Sequence, residues 1–139
     1  MDITRSLGLD IGDKRIGVAL SDAESILASP FTIINCQGDI ADVEAITSII
    51  SQQQVKQVIV GLPRLMDGSL GKQAEKVKAF TQKLCSHTEV PVEFRDERLT
   101  TVSAKRLMRA INTKRTKKKA KYDAIAAALI LQGYLDEKH

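Results

Sequence analysis

The stretch LGLDIGDKRIGVAL, residues 7–20, constrains the fold more than any other part of the chain. Two apolar runs flank Gly12-Asp13, a two-residue turn signal, so they pair as an antiparallel hairpin. A sheet that begins this way is not all-parallel. The stretch also holds an anomaly. Alternation along a strand turns Leu7, Leu9 and Ile11 to one face and Gly8, Asp10 and Gly12 to the other. The turn accounts for Gly12 and Asp13 but leaves Gly8 and Asp10 unexplained, an acid on a face stripped of bulk. Glycine inside a strand weakens it unless something approaches the backbone closely. Such room suits a metal ion or a phosphate, which makes Asp10 the first candidate site residue.

Strand patterns cover residues 5–11, 14–20 and, after ESILASP, 31–36. An amphipathic helix follows over 39–53, with Ile40, Val43, Ile46 and Ile50 at helical spacing and Asp39 as its N-cap. KQVIVGLP is a short continuous apolar strand of the kind buried on both faces of a sheet. Leu70, Ala74, Val77, Phe80 and Leu84 mark a second helix. VPVEFRDE is a fifth strand, a third helix spans 101–111 and a last one spans 122–135. Hairpins first and alternation afterwards predict an α/β fold: a single domain over residues 1–139, with a mixed five-stranded sheet flanked by helices.

At 139 residues, the chain can bury a core but cannot divide into two lobes. No apolar run approaches the ~18 residues of a membrane span. With no basic-then-apolar leader, and with Cys36 and Cys85 lacking metal-ligand spacing, a reduced cytoplasmic protein is expected. His87 and His139 are isolated in sequence and receive no catalytic role.

Charge is unevenly spread. Seven of the 21 basic residues lie between Arg109 and Lys121 with no acid among them, so the other fourteen face all 17 acids, a net of −3. A basic block beside an acidic body fits a polyanionic partner, most often nucleic acid. Repulsion within the block favours a solvated loop that orders when phosphates neutralise it.

Two further acids stand where an acid has little local reason to be. Glu97, in RDERLTT, leaves the fifth strand at the edge where loops of an open sheet converge. Asp123 opens the last helix, in KYDAIAAALIL, whose small and apolar residues mark a helix packed closely on the sheet. Each has an ordinary reading, a surface ion-pair cluster for DER and a dipole-complementing acid for Asp123. Together with Asp10 they form a constellation that chance seldom supplies.

Four motifs, LDIGDKRIGVALSD, VIVGLPRLMDGS, DERLTT and KYDAIAAALIL, resemble the YqgF/RuvX family of the ribonuclease-H-like superfamily, described both as pre-16S ribosomal RNA nucleases and as Holliday-junction resolvases. The resemblance covers nearly the whole chain. It implies a ribonuclease-H-like domain and a metal-dependent nuclease whose acidic triad is Asp10, Glu97 and Asp123. Arg64 and Leu65 depart from the family loop, which commonly carries asparagine before MDG, and Thr100 stands where serine is usual.

Hard oxygen ligands suit Mg2+ or Mn2+, so the three acids are the expected metal ligands as well as the catalytic residues. Arg95 and Arg98 flank Glu97, and Lys114, Arg115, Lys117, Lys118, Lys119 and Lys121 lead into Asp123; all eight are candidate phosphate contacts. The expected partner is a structured RNA or a branched DNA, bound by a monomer or a homodimer, with processing of the 5′ end of pre-16S rRNA ahead of junction resolution. Two other classes compete. An ATP-binding protein shares the D-x-G hairpin but needs two lobes around its nucleotide. A noncatalytic RNA-binding assembly factor would use the basic block alone.

Overall fold

A computed structural model describes residues 4–63, 70–96 and 115–138, with only the backbone described over 115–123. The order of elements is β1 (Arg5–Ile11), β2 (Arg15–Ser21), β3 (Ala28–Asn35), α1 (Asp39–Gln52), β4 (Val55–Leu62), α2 (Lys72–Cys85), β5 (Val92–Asp96) and α3 (Arg115–Lys138). The strands form one five-stranded sheet in the order β3-β2-β1-β4-β5. β2 is antiparallel to β1 and β3, whereas β4 is parallel to β1 and β5. The expected mixed α/β sheet is therefore observed. The helix expected over 101–111 lies outside the described residues.

Both faces of the central strands are covered. Leu7, Leu9, Val18, Val58 and Val60 pack with Val43 and Ile46 of α1 and Val77 and Leu84 of α2. On the other face, Ala19 and Ile59 pack with Ala127, Ile130, Leu131 and Leu135 of α3. This double coverage explains why β4 reads as a continuous apolar run. No helix among the described residues is long and apolar enough to cross a membrane.

Several local expectations change. The hairpin turn centres one residue later, since the Gly12 N–H donates to the Arg15 carbonyl at 2.9 Å and β2 starts at Arg15. β3 begins at Ala28, three residues earlier than expected, and runs through Pro30. Proline cannot donate to a ladder, but β3 is an edge strand, and the register shifts beside Pro30 as at a β-bulge.

α1 has Gly38 rather than Asp39 at its N-cap, with no side-chain cap, and the Asp39 carboxylate pairs with Lys83 at 2.5 Å. Ile40, expected on the apolar stripe, is 76% exposed. Asp42 is buried instead, its Oδ1 accepting the Gln37 N–H at 3.0 Å. Six residues of helix leave Ile40 about 120° round the axis from Ile46, outside the buried stripe of Asp42, Val43, Ile46 and Ile50. Ile46→Ala should therefore cost about 2–5 kcal/mol, whereas Ile40→Ser should change stability by no more than about 0.5 kcal/mol. Chemical denaturation of the two variants checks this, and equal losses would contradict the packing.

The largest correction concerns the basic block. α3 starts at Arg115, seven residues before the expected helix, so Arg115, Lys117, Lys118, Lys119 and Lys121 belong to a helix rather than to a loop. Lysine, arginine and alanine are strong helix formers, and like-charge pairs at helical spacing oppose a helix by only a few tenths of a kcal/mol. Propensity together with the docked apolar half of the helix outweighs that repulsion.

Candidate functional site

β1, β4 and β5 run in parallel, so their C-terminal ends lie along one edge of the sheet. Leu9 pairs with Val60, Val60 with Phe94, and Leu62 with Asp96. Asp10 follows Leu9 at this edge, and Glu97 is the residue immediately after Asp96. Glu97 itself, with Arg98, Lys114, Arg64 and Leu65, lies outside the described residues.

Asp10 is half-buried and stands directly opposite Gly17 of β2. Continuing the β1–β4 register by one residue beyond Leu9 and Val60 puts Gly61 on its other side. Neighbours across a sheet share a face, so the carboxylate has a glycine on each flank. Gly17 and Gly61 were not singled out in the sequence analysis. RIGVAL and VIVGLP carry the signal, but only the strand register shows that both glycines border the acid.

The glycines next to Asp10 in sequence have other duties. A Cβ at Gly8 would stand 2.8 Å from Leu131 Cβ and 2.9 Å from the Ala127 carbonyl oxygen. α3, rather than a metal or phosphate, therefore fills the room beside Gly8. A Cβ at Gly12 would stand 2.8 Å from the Arg15 carbonyl oxygen, within the hairpin turn.

α3 runs antiparallel to β1. Tyr134 donates to Gln57 Oε1 at 3.4 Å, and Gln57 in turn donates to Ser6 Oγ at 2.7 Å. Leu131 and Ala127 then cover Gly8. One further turn toward the helix N-terminus arrives at Asp123 while the strand advances to Asp10. A turn of helix and two strand residues both span about 6 Å. Asp123 is also the ninth residue of α3, not part of its first turn. The helix dipole acts only over the first turn, so the ordinary reading of this acid as a dipole-complementing residue falls away.

Arg95 is the one candidate phosphate contact whose side chain is described. Its Nη1 pairs with Glu137 Oε1 at 2.5 Å, and its side chain is only 25% exposed. The other basic residues of α3 are placed along the helix by its backbone.

Burial pushes the Tyr134 hydroxyl up, with Glu93 adding to the effect, so it remains a donor at the far end of α3. Burial, reinforced by Asp42, also pushes the Cys36 thiol up, which leaves it a poor nucleophile. Cys36 borders a groove of about 570 Å³ between the hairpin tip, α1 and α2, where Lys76 pairs with Asp13 at 3.4 Å. Among the described residues no three carboxylate, histidine or cysteine side chains converge as a metal cage. Of the three candidate acids, only the Asp10 side chain belongs to that set.

The donor chemistry fits a hard divalent cation. Asp10 supplies carboxylate oxygen beside two positions without side chains, at an edge where an acid-bearing strand exit and an acid-bearing helix also meet.

Comparison with known proteins agrees with this architecture. A relative from Caldanaerobacter subterraneus subsp. tengcongensis, named "Putative pre-16S rRNA nuclease", is 47% identical over 96% of this chain and 97% of its own length. One of the same name from Clostridioides difficile is 45% identical over 96% of this chain and 95% of its own. Among solved structures, T. thermophilus RuvC in complex with a Holliday junction substrate superposes with a TM-score of 0.64 at 11% identity, covering 97% of this chain and 95% of that one. The fowlpox virus Holliday junction resolvase gives 0.60 at 12% identity, covering 98% of this chain and all of that one. At such low identity these two structures speak for a shared resolvase-type, ribonuclease-H-like fold. The sequence model described as RuvX, Holliday junction resolvase, matches residues 4–137, and the chain belongs to that family.

Proposed function

We propose that this chain is a divalent-metal-dependent nuclease that hydrolyses phosphodiester bonds in precursor 16S ribosomal RNA, with Asp10, Glu97 and Asp123 as the acids that hold Mg2+ or Mn2+. The observation that carries the reading is the setting of Asp10, half-buried on a central strand between Gly17 and Gly61 where β1, β4 and β5 end together. The RNA substrate is supported by the names of the relatives.

A divalent ion held by these acids supplies Lewis-acid stabilisation of charge at phosphorus and acidifies the attacking water. The chain's own part is to fix the acids on rigid elements and to hold the substrate. Asp10 is fixed by its ladder pairing with Gly17 of β2, and Leu9 before it by pairing with Val60 of β4. Asp123 is carried on a helix whose following turns are docked by Ala127 and Leu131. Arg98, Lys114, Arg115, Lys117, Lys118, Lys119 and Lys121 contribute phosphate contacts, which set position without reading sequence. Ribosomal RNA processing would take place in the cytoplasm.

A second reading, resolution of branched DNA, is favoured by the description of the family model and by the likeness to a junction-bound resolvase. Symmetric cutting of a four-way junction needs two sites in a two-fold dimer, whereas trimming an RNA needs only one.

The test compares precursor 16S rRNA with a DNA four-way junction, each in Mg2+, Mn2+ or EDTA. Cutting of the RNA in either metal and none in EDTA is expected. Cutting of the junction alone would transfer the reading to the resolvase. Metal-independent binding of RNA without cutting would contradict the nuclease and favour a noncatalytic assembly factor. Raising the salt should weaken RNA binding with a slope of about −0.7 per phosphate contact.

A further inference from the structure

Gly133 lies inside α3, five residues before its last residue, Lys138, and glycine within a helix costs roughly 1 kcal/mol relative to alanine, so its presence calls for a reason. The reason is Arg95. A Cβ at Gly133 would stand 2.7 Å from Arg95 Nη2, 2.9 Å from Nε and 3.0 Å from Cζ, so the Nε and Nη2 side of the guanidinium takes the space that a side chain there would fill. One turn further along α3, Glu137 accepts from Arg95 Nη1. The Nε is buried and finds no acceptor among the described residues. This is a poor arrangement for a phosphate contact, which needs the guanidinium N–H edges turned to solvent. It is a good one for a strut.

The strut lies at an informative place. Arg95 is the second-last residue of β5, and Glu97 follows that strand at once. Gly133 and Glu137 belong to the same helix as Asp123. The second glycine contact on α3, Ala127 and Leu131 over Gly8, ties the helix to β1 two residues before Asp10. Two glycine seats thus join the three elements that carry the acids, β1 to α3 at Gly8 and α3 to β5 at Gly133.

We propose that Arg95 is a positioning residue: seated on Gly133 and paired with Glu137, it fixes α3 against the end of β5 and thereby sets the spacing between the carriers of Asp123 and Glu97. The proposal rests on the metal-dependent reading above. Outer residues that orient metal ligands typically change affinity about 10–100-fold when lost.

The experiment uses the full chain, MnCl2 alone as the probe, and the variants Gly133→Ala and Glu137→Gln. Melts are recorded in EDTA and across a Mn2+ titration, and RNA binding in EDTA is followed against salt. The expected result is a Mn2+ midpoint raised about 10–100-fold in both variants, with the salt slope of RNA binding unchanged. An unchanged Mn2+ midpoint with a shallower salt slope would overturn the proposal in favour of a phosphate contact. A lower melting temperature in EDTA with an unchanged midpoint would overturn it in favour of packing alone. If Gly133→Ala fails to fold, Glu137→Gln carries the test, because it removes charge without adding a heavy atom. A wild type indifferent to Mn2+ would overturn the metal-dependent reading itself, whereas a responsive wild type with responsive, unshifted variants overturns only the role of Arg95.

Discussion

Asp10→Asn should abolish metal-dependent cleavage, with a loss of about 10³-fold or more, while leaving the fold intact. The exchange keeps the shape of the side chain and removes the charge that holds the cation. A metal-supplied Lewis acid contributes several kcal/mol of transition-state stabilisation, and each 1.4 kcal/mol is about tenfold in rate. The stability of the variant separates this from simple damage. Acids gathered without a cation repel one another, so in EDTA the variant should melt no lower than wild type. Wild type alone should gain stability as Mg2+ or Mn2+ is added. Single-turnover cleavage beside thermal melts checks both halves. Undiminished cutting by the variant would remove Asp10 from the catalytic site.

Gly8→Val is expected to lower stability and cleavage together. Its Cβ would meet Leu131 Cβ at 2.8 Å and the Ala127 carbonyl oxygen at 2.9 Å, and the second of these is a backbone atom that cannot rotate away. α3 would have to lift from β1 or slide along it. Overpacking of this kind costs about 1–3 kcal/mol or more, which corresponds to a fall of roughly 3–10 °C in Tm for a chain of this size. Because the same helix carries Asp123, cleavage measured well below the new Tm should also fall. Gly8→Ala should behave similarly but more mildly. A variant as stable as wild type would mean that the close approach of α3 is not needed for folding.

Much of the fold could be read from hydrophobic periodicity, because both faces of the sheet are buried and each strand or helix carries its own period. Errors arose where a local rule met a tertiary exception. Pro30 argues against a strand, yet an edge position and a register shift accommodate it. The lysine run argues for a loop, yet it continues a helix whose other half is anchored on the sheet. Ile40 fits an apolar stripe but lies on the open side of α1, and the buried position falls to Asp42, which has a backbone donor waiting.

The candidate site was legible in a different way. An acid on a glycine-flanked strand has no explanation in the residues beside it in sequence, which is what marks Asp10. The space that Gly8 leaves belongs to α3 rather than to a ligand. Gly17 and Gly61 border the acid only through pairing with β2 and β4. The Arg95–Gly133–Glu137 contact joins residues 38 and 42 positions apart and leaves no local pattern to detect. Asp123, the ninth residue of α3, stands too deep in the helix to complement its dipole.

The most direct measurement is a calorimetric titration of wild type, Asp10→Asn and Asp123→Asn with Mn2+ in the absence of nucleic acid. The account predicts saturable binding to wild type and loss of that binding in both variants, each still folded in EDTA. Binding of equal strength in all three proteins, or none in wild type, would contradict it.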